Sequence, residues 1–335
     1  MQLIIKKILI NKKLIIKIIV LALIFLIATF PLDFYIYMPG GIEDTVDKVS
    51  VEEAYDQVGS FNLAYVSEGK ANVTSALLSF AFKNWDRIPK ADVTQNNESY
   101  EDSLTRSKLL LNEANENATI AAFDALDVSY IITGRSFNIV FVTPDSESDF
   151  EIGDQILKLN DTKITSVEQY TEILNTLEIG ETVNVDVINK ASEEVVRTAI
   201  IYEDTDYHKV TGIFVVPLKD ISTKTNIDFH FEENESGPSG GLMMALTIYN
   251  KLEQEDITNG KKIVGTGTIS ETGIVGEIDG IKYKLKSAVK GKADIFLSPK
   301  ENYEEAMGIK KENKYDIEII SIETFSGALE YLSGL

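Results

Sequence analysis

Leu14 to Leu32 form a nineteen-residue run in which Lys17 carries the only charge. A helix of that length spans about 28 Å, close to the thickness of a bilayer's hydrocarbon core. Lys6, Lys7, Lys12 and Lys13 precede it with no acidic residue among them, whereas the whole chain holds 32 Lys+Arg against 53 Asp+Glu. Charge therefore changes sign across the run, and a basic flank of this kind stays on the cytoplasmic side. Asp33 marks the far side, where Phe30, Phe34, Tyr35 and Tyr37 read as an interfacial aromatic cluster. The expectation is a single-pass protein of the cell membrane, held by one N-terminal helix. Its N-terminus is cytoplasmic and the chain from Asp33 onward lies outside. A cleavable signal peptide would use Ile18 to Phe30 as its apolar core. No small-x-small site follows, and bulky aromatics occupy that region, which favours an uncleaved anchor.

At 335 residues the chain is long enough for two or three domains, and 44% hydrophobic residues suffice for a real core. A net charge of −21 argues against nucleic acid as a partner. With no cysteine there is no disulfide, thiolate metal site or cysteine nucleophile, and two histidines, His208 and His230, leave little for a metal centre. The phosphate-binding pattern G-x-x-x-x-G-K-[ST] does not occur, so no nucleotide is expected. The reading requires no cofactor and no metal.

The fold class expected is α+β with α/β-like alternation, divided into four segments. Residues 1–38 are the tail and anchor. Residues 39–128 form a membrane-proximal segment that opens as a polar linker over 39–60. It continues with the strand Phe61 to Val66, a loop over 90–101 and a helix from Asp102 to Leu126. Residues 129–205 form a third unit with strands at Ile139 to Val142, after Gly153, at Val183 to Val187 and at Val195 to Ile201. An amphipathic helix lies over Ser166 to Leu177. Residues 206–335 alternate strand and helix.

Two segments carry chemistry. Gly237-Pro238-Ser239-Gly240-Gly241 makes a forced turn, after which apolar residues at 242, 245, 246, 249 and 252 repeat at helical spacing. Ser239 therefore sits at a helix start, where free N–H groups favour negative charge; on this segment alone it could be an ordinary N-cap. The second segment is Ile281 to Lys290. Ile281, Leu285, Ala288 and Val289 define its apolar face, and Lys284 fills that face's vacant position, while Lys282, Lys286 and Lys290 lie on another stripe. A lysine turned inward needs a reason. A free lysine, with a pKa of ~10.4, is neutral about once in 2,500 molecules at pH 7, and desolvation raises that fraction. A serine with such a lysine as its base needs neither His nor Asp.

Ser239 in GPSGG, Lys284 in DGIKYK and the intervening Gly265-Thr266-Gly267, followed by Gly276, resemble the active-site motifs of Lon-type (S16-like) serine proteases. The order of GDQIL, Asn160-Asp161 and the strand from Val183 resembles a PDZ domain. Together with the anchor, the chain resembles the membrane-anchored PDZ-containing Lon-like proteases of Gram-positive bacteria. The resemblance implies an ATP-independent extracytoplasmic endopeptidase with catalytic Ser239 and Lys284. It implies supporting roles for Thr266, Gly237, Pro238 and Gly240, and Thr266 is expected to position the lysine amine. Its substrates would be exported peptides or unfolded segments, including peptide pheromones, and a homo-oligomer remains open. It also implies peptide binding in the PDZ-like unit near Phe137, Asn138 and Ile139, although the stretch Gly134 to Asn138 departs from the usual Gly-Φ-Gly-Φ loop. FNLAYV resembles the first strand of Lon-like proteolytic domains, so the PDZ-like unit is expected to be inserted in the protease fold. The competing function is a PDZ peptide-binding scaffold that has lost activity.

Overall fold

The computed structural model describes residues 12–94 and 98–335. It contains two compact units, one made of residues up to Gly40 with Val66–Val93, the other of Gly41–Tyr65 with Thr94–Leu335.

The first unit begins with α1 (Lys12–Ala28), along which Ile18, Leu21, Phe25 and Leu26 are all more than half exposed. It stops short of the apolar run read from sequence. Thr29 turns its hydroxyl back onto the Phe25 carbonyl (2.8 Å). Pro31, which cannot continue a helix, opens β1 (Pro31–Asp44). Among the described residues no helix is long and apolar enough to cross a membrane. Of the expected aromatic cluster, Phe34, Tyr35 and Tyr37 belong to β1, and Tyr35 is buried. Lys6 and Lys7 lie outside the described residues. After β2 (Ser60–Asn72) comes α2 (Val73–Ala81), started by a reciprocal capping box between Asn72 and Ser75. Then β3 (Asp86–Pro89) pairs antiparallel with β1, Phe34 facing Pro89 and Tyr37 facing Asp86.

In the second unit α3 (Tyr100–Ala125) leads into β4 (Tyr130–Val142), β5 (Gln155–Leu159), α4 (Val167–Thr176), β6 (Thr182–Ile188), β7 (Glu194–Ile200) and β8 (Ile213–Thr223). These strands make one sheet in the order β8-β4-β5-β6-β7, every neighbouring pair antiparallel. Its core is Ile139, Ile156, Leu159, Leu174, Val183, Val185 and Val187, closed by α4. The expected boundary at 205 is too early for this sheet, because β8 pairs with β4 from Ile213 to Thr223.

The rest comprises α5 (Gly241–Leu252), β9 (Lys262–Gly265), β10 (Thr268–Ile269), α6 (Ile281–Lys290), β11 (Ile295–Pro299), α7 (Lys300–Asn313), β12 (Glu318–Ile322) and α8 (Phe325–Ser333). Here β12, β11 and β9 are consecutive parallel strands, and β9 pairs in parallel with the start of β2, Ile263 facing Phe61 and Gly265 facing Leu63. Such strands are buried on both faces, and β11 is buried along its whole length, opening on the apolar run Ile295-Phe296-Leu297. Phe61, Val49, Ala118, Ala122, Leu242, Leu246, Ile263 and Leu297 share one core. The linker expected over 39–60 is therefore part of the fold, and Val49–Val51 pairs with Ile227–Phe229. Of the loop expected over 90–101, Lys90–Val93 is helical and Tyr100 begins α3, while 95–97 lie outside the described residues. The helix after Ser239 is buried all round, Gly241 to Ile248 without exception, because α3 packs along it.

Phe61→Ala empties a site only 1% exposed, and a loss of about 3–5 kcal/mol is expected in urea unfolding. A fragment beginning at residue 206 leaves β9 without β2 and α5 without α3. It is expected to show no cooperative melting transition by circular dichroism.

Candidate active site

The segment 237–241 enters α5 through a short 3-10 turn, Pro238–Gly240. Gly237 has φ +95°, a conformation side chains rarely adopt, although a Cβ there would meet open space. Its own N–H is taken by the Ser107 carbonyl of α3 at 3.0 Å. Pro238 has no N–H, and the 3-10 pattern engages the N–H groups of Gly240 and Gly241, so the donor left at the start of the turn is that of Ser239. Ser239 is half-buried at the head of α5.

Opposite this turn lies Thr266, fully buried between β9 and β10. Its hydroxyl donates to the Ser239 carbonyl at 3.0 Å and accepts from Lys284 Nζ at 3.1 Å. The Ser239 carbonyl also accepts the Gly267 N–H (2.8 Å), and Leu242 N–H donates to the Gly267 carbonyl (3.1 Å). The backbone of Thr266 and Gly267 thus clasps both ends of the serine turn. Lys284, on α6, is 4% exposed and points inward as its helical position requires. Desolvation lowers its pKa from 10.5 to about 8, opposed only by the charge of exposed Asp279. About a tenth of such lysines are neutral at pH 7. Among the described residues Ser239 and Lys284 are joined through Thr266 rather than by a direct side-chain bond. Contacts of this kind often tighten only when substrate fills the site. Of the expected supporting residues, Thr266 bonds both halves, Gly237 and Pro238 shape the turn, and Gly240 opens α5.

Lys282 and Lys286 are half-buried rather than fully solvated, and Lys282 Nζ lies 4.8 Å from the Tyr283 ring centroid. His230 bonds Ser50 Oγ (2.6 Å) just after the strand 227–229, and among the described residues it makes no hydrogen bond to Ser239.

The expected peptide-binding residues Phe137, Asn138 and Ile139 do not form an open edge. They are buried in the middle of β4, with β8 on one side (Asn138 facing Val216) and β5 on the other (Asn138 facing Gln155). The stretch Gly134 to Asn138 is strand, not loop. The available edge belongs to β8. Beside it a cavity of about 230 Å³ is lined by Ile213 and Val215 of β8, Tyr170 and Leu174 of α4, and Lys209. Lys209 Nζ meanwhile bonds the carbonyl of Leu177 at the end of α4. Of the three expected residues Phe137 also lines this cavity, whereas Lys209, Ile213 and Val215 escaped sequence reasoning because they lie beyond the expected boundary.

Residues 187–333 match the model of the Lon protease (S16) C-terminal proteolytic domain, and residues 127–200 match that of the PDZ domain. The chain carries a Lon-type proteolytic domain and a PDZ domain. It is 31% identical over 123 residues to the Lon protease of Campylobacter jejuni, covering 36% of this chain and 15% of that protein. It is likewise 31% identical over 131 residues to the Lon protease of Campylobacter concisus, covering 38% and 15%. The chain thus spans only 15% of the length of these relatives. Among solved structures, the PDZ domain of the SdrC-like protein from Listeria monocytogenes is 16% identical. That alignment covers 26% of this chain and 93% of that one, with a TM-score of 0.23. The PDZ and Lon-type matches overlap at 187–200, and within that overlap β7 belongs to the PDZ sheet through its pairing with β6.

Two glycines of the serine turn separate cleanly. A Cβ at Gly240 would touch only Leu63 Cδ2 at 3.7 Å, ordinary contact at φ −92°. Gly240→Ala should fold normally and gain about 0.4–1 kcal/mol by restricting the unfolded chain. A Cβ at Gly241 would lie 2.8 Å from Ile269 Cγ2 and 3.2 Å from the Ile269 nitrogen, so Gly241→Ala should lower the melting temperature. Asp279→Asn removes the one charge that favours the ammonium, and the Lys284 titration should move further below about 8. Nuclear magnetic resonance of the lysine side chain would read the shift, and an upward movement would contradict it.

Proposed function

We propose that the chain is an ATP-independent serine endopeptidase in which Ser239 is the nucleophile and Lys284 the general base. The observation that carries this is the desolvated lysine bonded, through Thr266, to the turn that bears the serine. Neutral Lys284 takes the Ser239 hydroxyl proton as the oxygen attacks a peptide carbonyl. Backbone N–H groups at the head of the serine turn, that of Ser239 among them, receive the oxyanion, one such donor being worth about 2.7–4 kcal/mol. The lysine then passes its proton to the leaving amine, an acyl-enzyme remains, and water repeats the sequence to free the enzyme. Its substrates would be peptides or already unfolded segments, a class that includes secreted peptide signals. The PDZ domain would hold an extended peptide against β8 and α4, and in chain order it is inserted between the β2 and β9 strands of the peptidase. The exposed apolar surface of α1, with the basic residues before it, supports a membrane anchor that leaves the peptidase outside the cell.

Ser239→Ala and Lys284→Ala should each abolish cleavage of a fluorogenic peptide with the fold intact. The double variant should be hardly worse than either, since the pair acts as a unit. Retained cleavage in Ser239→Ala would refute the mechanism. Below about pH 8 the rate should fall as Lys284 becomes protonated, about ten-fold per unit at the acid end. An inactive scaffold would give no turnover at any pH. Protease added to wall-stripped cells should digest the bulk of the chain, and full protection would overturn the extracellular placement.

A further inference from the structure

The strand that edges the PDZ groove does not end at the groove. Residues 213–215 of β8 line the cavity, and four residues later the same strand reaches α3. There Lys219 is buried, its side chain 2% exposed. Its N–H donates to Glu116 Oε2 (2.7 Å) and its ammonium to Asn117 Oδ1 (2.8 Å), with Glu271 Oε2 at 3.3 Å. Asn117 is itself buried and spends its amide N–H on the carbonyl of Ile269, 3.1 Å away in β10. Ile269 packs directly on Gly241, two residues after Ser239, and its strand follows the Thr266–Gly267 clasp that holds the Ser239 carbonyl. An unbroken file of hydrogen bonds thus runs from the PDZ edge strand, through one side chain of α3, to the segment that fixes the nucleophile's backbone.

None of these contacts follows from the Ser-Lys chemistry. A buried ammonium is costly, and a simple structural contact here would be met as well by an apolar side chain. Irregularities in the β4–β8 pairing fall between Phe214 and Val215 and between Asp220 and Ile221, bracketing Lys219. Bulges of this kind re-aim side chains, and here they accompany the turn of Lys219 into the α3 interface. We propose that Lys219 and Asn117 are positioning residues for the peptidase site, transmitting the placement of the PDZ edge strand to the Ser239 turn. The Lon-type site would then be set partly from the PDZ sheet, and the two domains would not be independent modules.

This rests on Ser239 being the nucleophile, and the test separates the two claims. Full-length wild type, Ser239→Ala, Lys219→Met and Asn117→Asp are assayed on a short fluorogenic peptide, with kcat and KM resolved and folding followed by thermal melting. Asn117→Asp keeps an acceptor for Lys219 and removes the donor to Ile269, so it breaks the file at one link. If Lys219→Met fails to fold, Asn117→Asp decides alone. The expected result is a kcat lowered about 10- to 100-fold, as for a small misplacement of a reacting group. KM should stay within about two-fold, and the folded fraction should be unchanged at the assay temperature. Wild-type kcat in folded Asn117→Asp, or losses that merely track the folded fraction, would overturn the positioning role while leaving the Ser239 reading intact. Equal turnover by wild type and Ser239→Ala would overturn both.

Discussion

Burial of one ammonium group organises the site. Lys284 sits on α6 in a position that its neighbours Ile281, Leu285 and Ala288 make apolar, and its available partner there is the Thr266 hydroxyl. That hydroxyl is committed on its other side to the Ser239 carbonyl. The cost of hiding the charge lowers the lysine's proton affinity, which is the property a base needs near neutral pH. Thr266 can keep this place only because β9 and β11 are paired and hold it, its N–H bonded to the Leu297 carbonyl at 3.2 Å.

The surrounding architecture serves that requirement from distant parts of the chain. β9 is flanked on one side by β11 and on the other by the start of β2, about 200 residues earlier in sequence. α5, which carries the serine turn at its head, is covered by α3, and α3 also takes the Gly237 N–H. The core that carries the candidate site is therefore assembled from segments on both sides of the PDZ sheet. The placement of β8 against both the PDZ strands and α3 gives the two parts a common element.

Much of this was legible locally. Helical periodicity alone turned Lys284 inward and Lys282 away, and the Pro-Gly turn placed Ser239 at a helix start; both depend on residues within one or two turns. The long helix expected from Asp102, the helix expected over Ser166 to Leu177 and the strand at Val183 to Val187 were equally readable from local period and turn residues, although the Ser99 cap that starts the first was assigned to a loop. α7 was not. Its face toward the core consists of Tyr303, Ala306, Met307 and Ile309 in an otherwise charged stretch, too sparse to stand out by period. The stretch 134–138 read as a loop because it stands where the PDZ resemblance places the carboxylate-binding loop. Pairing with β8, a strand about 80 residues away, holds it extended.

The sequence by itself determined the chemistry available: no thiol, few imidazoles, a serine at a helix start and a lysine on an apolar face. Spacing along one helix suffices for that, since the period of 3.6 residues is fixed by covalent geometry. Only the tertiary structure decided what each group meets. It paired Thr266 with both Lys284 and Ser239, closed both edges of β4, and opened the groove beside β8. It also brought Lys219, Asn117 and Ile269 into line across 50 to 150 residues of chain. Those partners are set by strand register and helix packing between remote segments, and no local pattern encodes which remote segments will touch.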